Sequence, residues 1–162
     1  MKVGVIADTH IHSLDAGQRL AKLLMDGPFN DVEMILHAGD HVHPGLDTCF
    51  APIKYYGVCG NMDRPDVHLP IRRIISVADK RIGMIHGWGA PDGLERRVLD
   101  NFSDEDIDVL VYGHSHQPVC RTVGSLLLFN PGSPTDRRSA AFHTVGILHI
   151  DKEVTGEIIR LY

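Results

Sequence analysis

Five short apolar runs in this chain each end in a side chain that can donate a lone pair. Val3-Gly4-Val5-Ile6-Ala7 ends in Asp8, with His10 two residues on. Met34 to Gly39 ends in Asp40, and Tyr56-Gly57-Val58-Cys59-Gly60 ends in Asn61. Ile82-Gly83-Met84-Ile85 ends in His86, and Val109-Leu110-Val111-Tyr112-Gly113 ends in His114, with His116 two residues on. Short, continuous, β-branched runs of this kind are buried parallel strands. In open α/β sheets the ligand crevice lies outside the carboxyl ends of the strands. The pattern therefore predicts an α/β protein whose site is assembled from distant strand tips.

The segments between the runs fit that reading. Leu14 to Met25 has apolar or small residues at Leu14, Gly17, Leu20, Ala21, Leu23 and Leu24, a helical stripe stopped by Gly27-Pro28. Pro44 to Phe50 reads as a second, short helix. Strands at Lys2 to Ala7, Val32 to Ala38 and Ile53 to Cys59, joined by such helices, imply right-handed crossovers and a parallel sheet. The second half is richer in hairpins. They are expected around Ala78-Asp79-Lys80, around Gly124 and around Asp151-Lys152-Glu153, with a helix within Pro91 to Phe102 and a strand at Asp108 to Tyr112. This order suits one α/β domain, residues 1–162, of two packed mixed sheets with helices outside. Its length is enough to bury a core.

Bulk properties narrow the function. Net charge is -5 and no basic patch stands out, which excludes sequence-independent binding to duplex nucleic acid. No apolar run approaches the ~20 residues that span a bilayer, so no membrane association is expected. The chain starts directly in a strand without a charged-then-apolar leader. Cys49, Cys59 and Cys120 are isolated, odd in number and without a CxxC pair. They are expected to be buried structural thiols in a reducing, cytoplasmic setting. Histidine is the anomaly, at 11 of 162 residues. Metal binding or proton transfer is the usual reason to concentrate imidazole.

Asp8, His10, Asp40, Asn61, His86, His114 and His116 are all oxygen or imidazole donors. Such a set suits Mn, Fe, Co, Ni or Zn better than calcium or soft copper. In extended backbone, residues i and i+2 point the same way, so Asp8 with His10, and His114 with His116, can each face one site. Seven donors exceed what one tetrahedral ion with an open position takes. Two ions sharing a carboxylate would use them all, and Asp40 is the natural bridge because its two oxygens can be divided. A pair of ions roughly 3.5–4 Å apart suits in-line displacement at phosphorus.

Asp8-x-His10, Gly39-Asp40, Gly60-Asn61-x-Asp63, His86-Gly87 and Gly113-His114-Ser115-His116 resemble the five ordered blocks of the calcineurin-like metallophosphoesterases. The short length and Asn130-Pro131-Gly132-Ser133 narrow the resemblance to the small single-domain bacterial and archaeal phosphodiesterases. A eukaryotic retromer subunit shares that fold. The resemblance implies a four-layer α/β/β/α sandwich and two divalent ions, with manganese favoured among Mn, Ni, Fe, Zn and Co. One ion would take Asp8, His10, Asp40 and His116, and the other Asp40, Asn61, His86 and His114. It implies hydrolysis of a small phosphodiester substrate by a hydroxide bridging the ions. The alternative it leaves is a catalytically weak or inactive protein-binding scaffold.

One position departs from the wider family. Many members carry, after the Asn, a His that protonates the leaving group, and here that position is Met62. Asn61 and the remaining Asp63 are the expected catalytic residues. General acid help is typically worth ~10²–10⁴ in rate, so good leaving groups should be preferred. His12 and His41, with His43, flank the proposed site and are candidates for substrate contact or for the missing acid. Arg137, beside Arg138, is a candidate for bidentate phosphate binding. Trp88 either stacks on a flat group or walls the core. His37, inside an apolar strand, reads as structural. A symmetric homo-oligomer is the commonest assembly for a soluble chain of this kind.

Overall fold

The structure is a computed structural model that describes residues 1–64 and 68–162. The strands are β1 (Lys2–Ile6), β2 (Met34–His37), β3 (Lys54–Gly57), β4 (Arg72–Val77), β5 (Lys80–Ile85), β6 (Val109–Val111), β7 (Val119–Val123), β8 (Leu126–Asn130), β9 (Thr144–Ile150) and β10 (Val154–Arg160). The helices are α1 (Leu14–Met25) and α2 (Leu94–Asp100). One five-stranded sheet runs β10-β9-β1-β2-β3 and the other β4-β5-β6-β8-β7. β1, β2 and β3 are mutually parallel, as are β5, β6 and β8. The hairpin partners β4, β7 and β10 run antiparallel, which makes both sheets mixed.

The alternation of side chains along the strands builds four layers. Val3, Val5, Leu36, Met84, Val109, Val111 and Phe129 point between the sheets into one buried cluster. Their neighbours Ile6 and Ile35 face outward onto Leu20, Ala21 and Leu24 of α1. Ile85, Leu110 and Leu128 face outward onto Leu94 and Val98 of α2. β1, β2, β5, β6 and β8 are thus covered on both faces, which is why their runs are largely apolar, whereas β3 at the sheet edge is only partly buried. Phe129 is fully buried in the middle layer. Truncating it to Ala should cost about 3–5 kcal/mol.

α1 begins at Ser13, whose hydroxyl accepts from the Ala16 amide. Its buried face is Gly17, Leu20, Ala21 and Leu24, whereas Leu14 and Leu23 are exposed, so the stripe is narrower than expected. The segment expected as a helix from Pro44 is a single 3-10 turn at Asp47–Phe50. The β9–β10 hairpin joins the first sheet, where β9 pairs antiparallel with β1. The cysteines also differ from expectation: Cys49 and Cys59 are half-buried and Cys120 is exposed.

Candidate metal centre

The carboxyl ends of β1, β2, β3, β5 and β6 deliver Asp8 and His10, Asp40, Asn61, His86, and His114 with His116, respectively. Asp8, Asp40, His86 and His116 are buried. These tips are not extended. φ is positive at Asp8 (52°), His10 (43°), Asp40 (60°), His114 (69°) and His116 (58°). Asp, Asn and His bear left-handed backbone at lower cost than most residues. The two rings that follow β6 diverge: His116 turns toward Asp8 and His10, while His114 turns toward Asn61. The glycines before the donors make room. A Cβ on Gly39, at φ +95°, would fall 2.6 Å from His86 Nδ1, and one on Gly60 would fall 2.2 Å from Asp40 Oδ1.

Two ligand groups result. Asp8, His10 and His116 form one, and Asp8, Asp40 and His86 the other, each with donor atoms all within 4.8 Å. The spacing fits a cation. Nitrogen or oxygen ligands at zinc-like distances lie about 3.3–3.4 Å apart around a tetrahedral ion. His10 Nε2 and His116 Nε2 are 3.3 Å apart. His116 Nε2 lies 3.4 Å from Asp8 Oδ1, and His86 Nε2 lies 3.4 Å from Asp40 Oδ2. Asp40 Oδ2 is also 3.6 Å from His10 Nε2, so this atom faces imidazoles of both groups, while Asp8 belongs to both outright. Asn61 Oδ1 joins the second group, 3.1 Å from His86 Nε2 and 3.0 Å from His114 Nδ1.

The outer contacts set the imidazole tautomers. His86 Nδ1–H donates to the Ala38 carbonyl at 2.7 Å, and His116 Nδ1–H to the Asp136 carbonyl. Both rings therefore turn an Nε2 lone pair inward. His114 does the reverse, donating from Nε2 to the Gly89 carbonyl at 2.8 Å and turning Nδ1 inward. A carbonyl fixing the far nitrogen is the usual support of a metal-binding histidine. Charge points the same way. Burial pushes the Asp8 carboxyl up to about 7, against the pull of His86, with Asp40 adding its repulsion. Burial lowers His10 and His116. Burial would raise Asp40, but the hydrogen bond and charge of His86 hold it below its ordinary value. Asp8 and Asp40, two adjacent buried carboxylates, would gain their countercharge from a divalent cation.

The remaining candidates fall elsewhere. Asp63, expected to be catalytic, turns away from the ligand groups: its carboxylate accepts from the amides of Asp40 (3.1 Å), Val42 (2.7 Å) and Gly60 (2.8 Å) and from His41 Nδ1 (3.2 Å). His41, expected at the substrate, is a buried ring stacked on His37 with centroids 3.6 Å apart. His12 is exposed. Arg137 donates to the Ala140 carbonyl at 2.9 Å. The guanidinium whose charge reaches Asp8, His10 and His116 is that of the next residue, Arg138, which is half exposed and has a φ of 47°. Trp88 is 45% exposed and so does not wall the core.

The segment that starts at Asn130-Pro131-Gly132-Ser133 supports the strand tips from behind. Ser133 Oγ donates to the Asp8 carbonyl at 2.7 Å and Thr135 Oγ1 to the Thr9 carbonyl at 2.6 Å. Buried Asn130 donates to the Gly113 carbonyl at 3.0 Å. The one signal for this scaffold was Asn130-Pro131-Gly132-Ser133.

The chain matches the calcineurin-like phosphoesterase superfamily domain over residues 1–153. A probable metallophosphoesterase of Methanothermobacter thermautotrophicus is 39% identical, covering 99% of this chain and 92% of that protein. An archaeal phosphodiesterase structure shares the fold with a TM-score of 0.72 at 24% identity, over 98% of this chain and 100% of that one. So does zinc-complexed Vps29 of Entamoeba histolytica, with a TM-score of 0.68 at 21% identity over the full length of both chains.

Proposed function

Because the chain belongs to the calcineurin-like phosphoesterase superfamily, we propose that it is a phosphodiesterase dependent on two divalent ions. The observation that carries this reading is a pair of ligand groups sharing Asp8, with Asp40 Oδ2 facing imidazoles of both. Asp8, His10, His116 and Asp40 would hold one ion. Asp40, His86, Asn61 and His114 would hold the other, with Asp8 between. Manganese is the first ion to test, with nickel, iron, zinc and cobalt as rivals. Bound ions would supply Lewis acidity at the phosphoryl oxygens and a water of lowered pKa.

The chain's own residues set the rest. Arg138, rather than Arg137, would hold a phosphoryl oxygen of a small diester. The Asn61 amide orients the phosphate from the other side. Position 62 brings no proton to the leaving group, since Met62 cannot titrate, and Asp63 is taken up by four donors. Substrates whose leaving oxygen needs no proton, such as aryl diesters, should therefore be favoured. The test is hydrolysis of bis-p-nitrophenyl phosphate by metal-loaded protein. Turnover that rises with added manganese supports the reading, and background rates with every divalent ion would sink it.

A second reading, a weakly active scaffold, draws on the apolar side chains exposed near the second ligand group: Met62 at 53%, Ile71 at 75% and Trp88 at 45%. Asp40→Asn separates the two, since an enzyme loses turnover and a scaffold keeps its partner. Three free thiols agree with a reducing, cytoplasmic location. Among the described residues, no helix is long and apolar enough to cross a membrane.

A further inference from the structure

Beneath the ligand groups lies a layer of polar side chains that contributes no donor atom to them. We infer that Asp63, His41 and His37 form one buried brace that positions the ligand loops after β1, β2 and β3, and Asp40 above all, without taking part in bond making. The inference rests on the metal-centre reading.

The brace can be followed from end to end. Asp63 follows β3, and its Oδ2 alone accepts from the amides of Asp40 and Gly60 and from His41 Nδ1. Its Oδ1 accepts from Val42. With four donors on one carboxylate, little remains to take or give a substrate proton. Asp40 and Val42 both have left-handed backbone, with φ of 60° and 69°. A β-branched residue rarely adopts that conformation, and it persists only where its surroundings over-determine it. Asp63 supplies that constraint, one oxygen per strained amide.

His41 carries the constraint inward. Its ring lies on that of His37 with an interplanar angle of 20°. Among the described residues its Nε2 has no hydrogen-bond partner, and it packs against Gly57, where an added Cβ would fall 2.8 Å away. His37 is fully buried. The Gly39 amide donates to its Nδ1 at 3.1 Å, which leaves Nε2–H to donate to Thr9 Oγ1 at 2.9 Å. The Thr9 hydroxyl in turn donates to the Asp40 carbonyl at 3.4 Å. Thr9 stands between Asp8 and His10, and Gly39 precedes Asp40. One neutral imidazole thus joins the loops that bring both shared carboxylates. Histidines read from sequence as structural and as substrate-binding prove to be two parts of one support.

The test separates positioning from chemistry. Manganese dissociation constants are measured by calorimetry for wild type, Asp63→Asn, His41→Phe and His41→Asn. His41→Phe keeps the flat ring without its donor, and His41→Asn restores a donor near Nδ1. Asp63→Asn and His41→Phe should weaken manganese binding about 10–100-fold, and His41→Asn should recover most of the loss. At saturating manganese, kcat on bis-p-nitrophenyl phosphate should return to within about tenfold of wild type with an unchanged pH profile, well inside the ~10²–10⁴ that loss of a general acid costs. Wild-type manganese affinity with a kcat deficit that excess metal does not repair, and a limb missing from the pH profile, would overturn the inference. A wild type that binds none of manganese, nickel, iron, zinc and cobalt would sink the metal-centre reading alone. The brace is then judged by hydrogen exchange at the Asp40, Val42 and Gly60 amides, which should speed up in Asp63→Asn, and unchanged protection there refutes it. Should Asp63→Asn not fold, His41→Phe, which leaves the carboxylate in place, carries both measurements.

Discussion

The two ligand groups share a carboxylate yet differ in their surroundings. Around Asp8, His10 and His116, two imidazoles meet at their Nε2 atoms, both lowered by burial, and Arg138 lies near. Behind them stand Ser133, Thr135 and the Asp136 carbonyl. Around Asp40 and His86 stand Asn61 and His114. Burial would lower His86, but Asp40 and Asp8 pull it above its ordinary value. Its neighbours Met62 and Trp88 are apolar and exposed. The contrast teaches that one centre has two unlike halves: one beside a cation, and one beside an apolar rim. The phosphate charge is best met at the first and an organic substituent at the second.

The largest expected effect is that of Asp40→Asn, which removes the atom facing both halves. Elemental analysis should find neither ion retained, and diester hydrolysis should fall by more than the about 100-fold that outer-contact variants reach. Two ions still bound would break the idea that Asp40 serves both halves. Next, His116→Asn and Asn61→Ala should each empty one half. Each protein should retain one ion, and turnover should fall about 100-fold. If either variant loses both ions, the halves are a single cooperative unit. Arg138→Ala should raise KM about tenfold or more, as loss of a charged hydrogen bond does, while Arg137→Ala should shift it less than about twofold. Steady-state kinetics on one diester decides between the neighbours.

The smallest effects concern pH, and they have opposite signs. Burial raises Asp8 to about 7, so between about 4 and 7 the folded, metal-free chain holds a proton that the unfolded chain has lost. Its contribution to stability therefore falls as pH rises through that window, and Asp8→Asn should remove the fall. Asp63 is held at about 2, because the His41 hydrogen bond and charge and the backbone donors outweigh its burial. Its contribution is complete above about 4 and is lost as pH falls toward 2. Asp63→Asn should flatten that acid limb. Urea unfolding of metal-free protein from pH 2.5 to 8 measures both.

Much of this was legible in the sequence. β1, β4 and β7 begin and end close to where the sequence places them, β1 because burial keeps its run apolar, and β4 and β7 because a turn joins each to its hairpin partner. The donors were legible because each breaks an apolar run. What escaped was tertiary. Nothing local says that β9 and β10 extend the sheet of β1, since strand partners are chosen across the whole fold. The i and i+2 argument assumed extended backbone, whereas φ is left-handed at Asp8, His10, His114 and His116. Arg137 and Arg138 were indistinguishable, because an irregular loop has no period to assign a face. Asp63 sat in the right block for a catalytic group, but only its three amide partners reveal what it does.

The left-handed residues at the strand tips carry a lesson for mutagenesis. Asp, Asn and His are both the letters that ligate ions and the letters this backbone tolerates best. Selection acts on them twice, so a descendant that stopped turning over substrate would still be pressed to keep them. Alanine scanning here mixes a lost donor with a distorted loop, and asparagine is the cleaner probe at positions 8, 10, 40, 114 and 116.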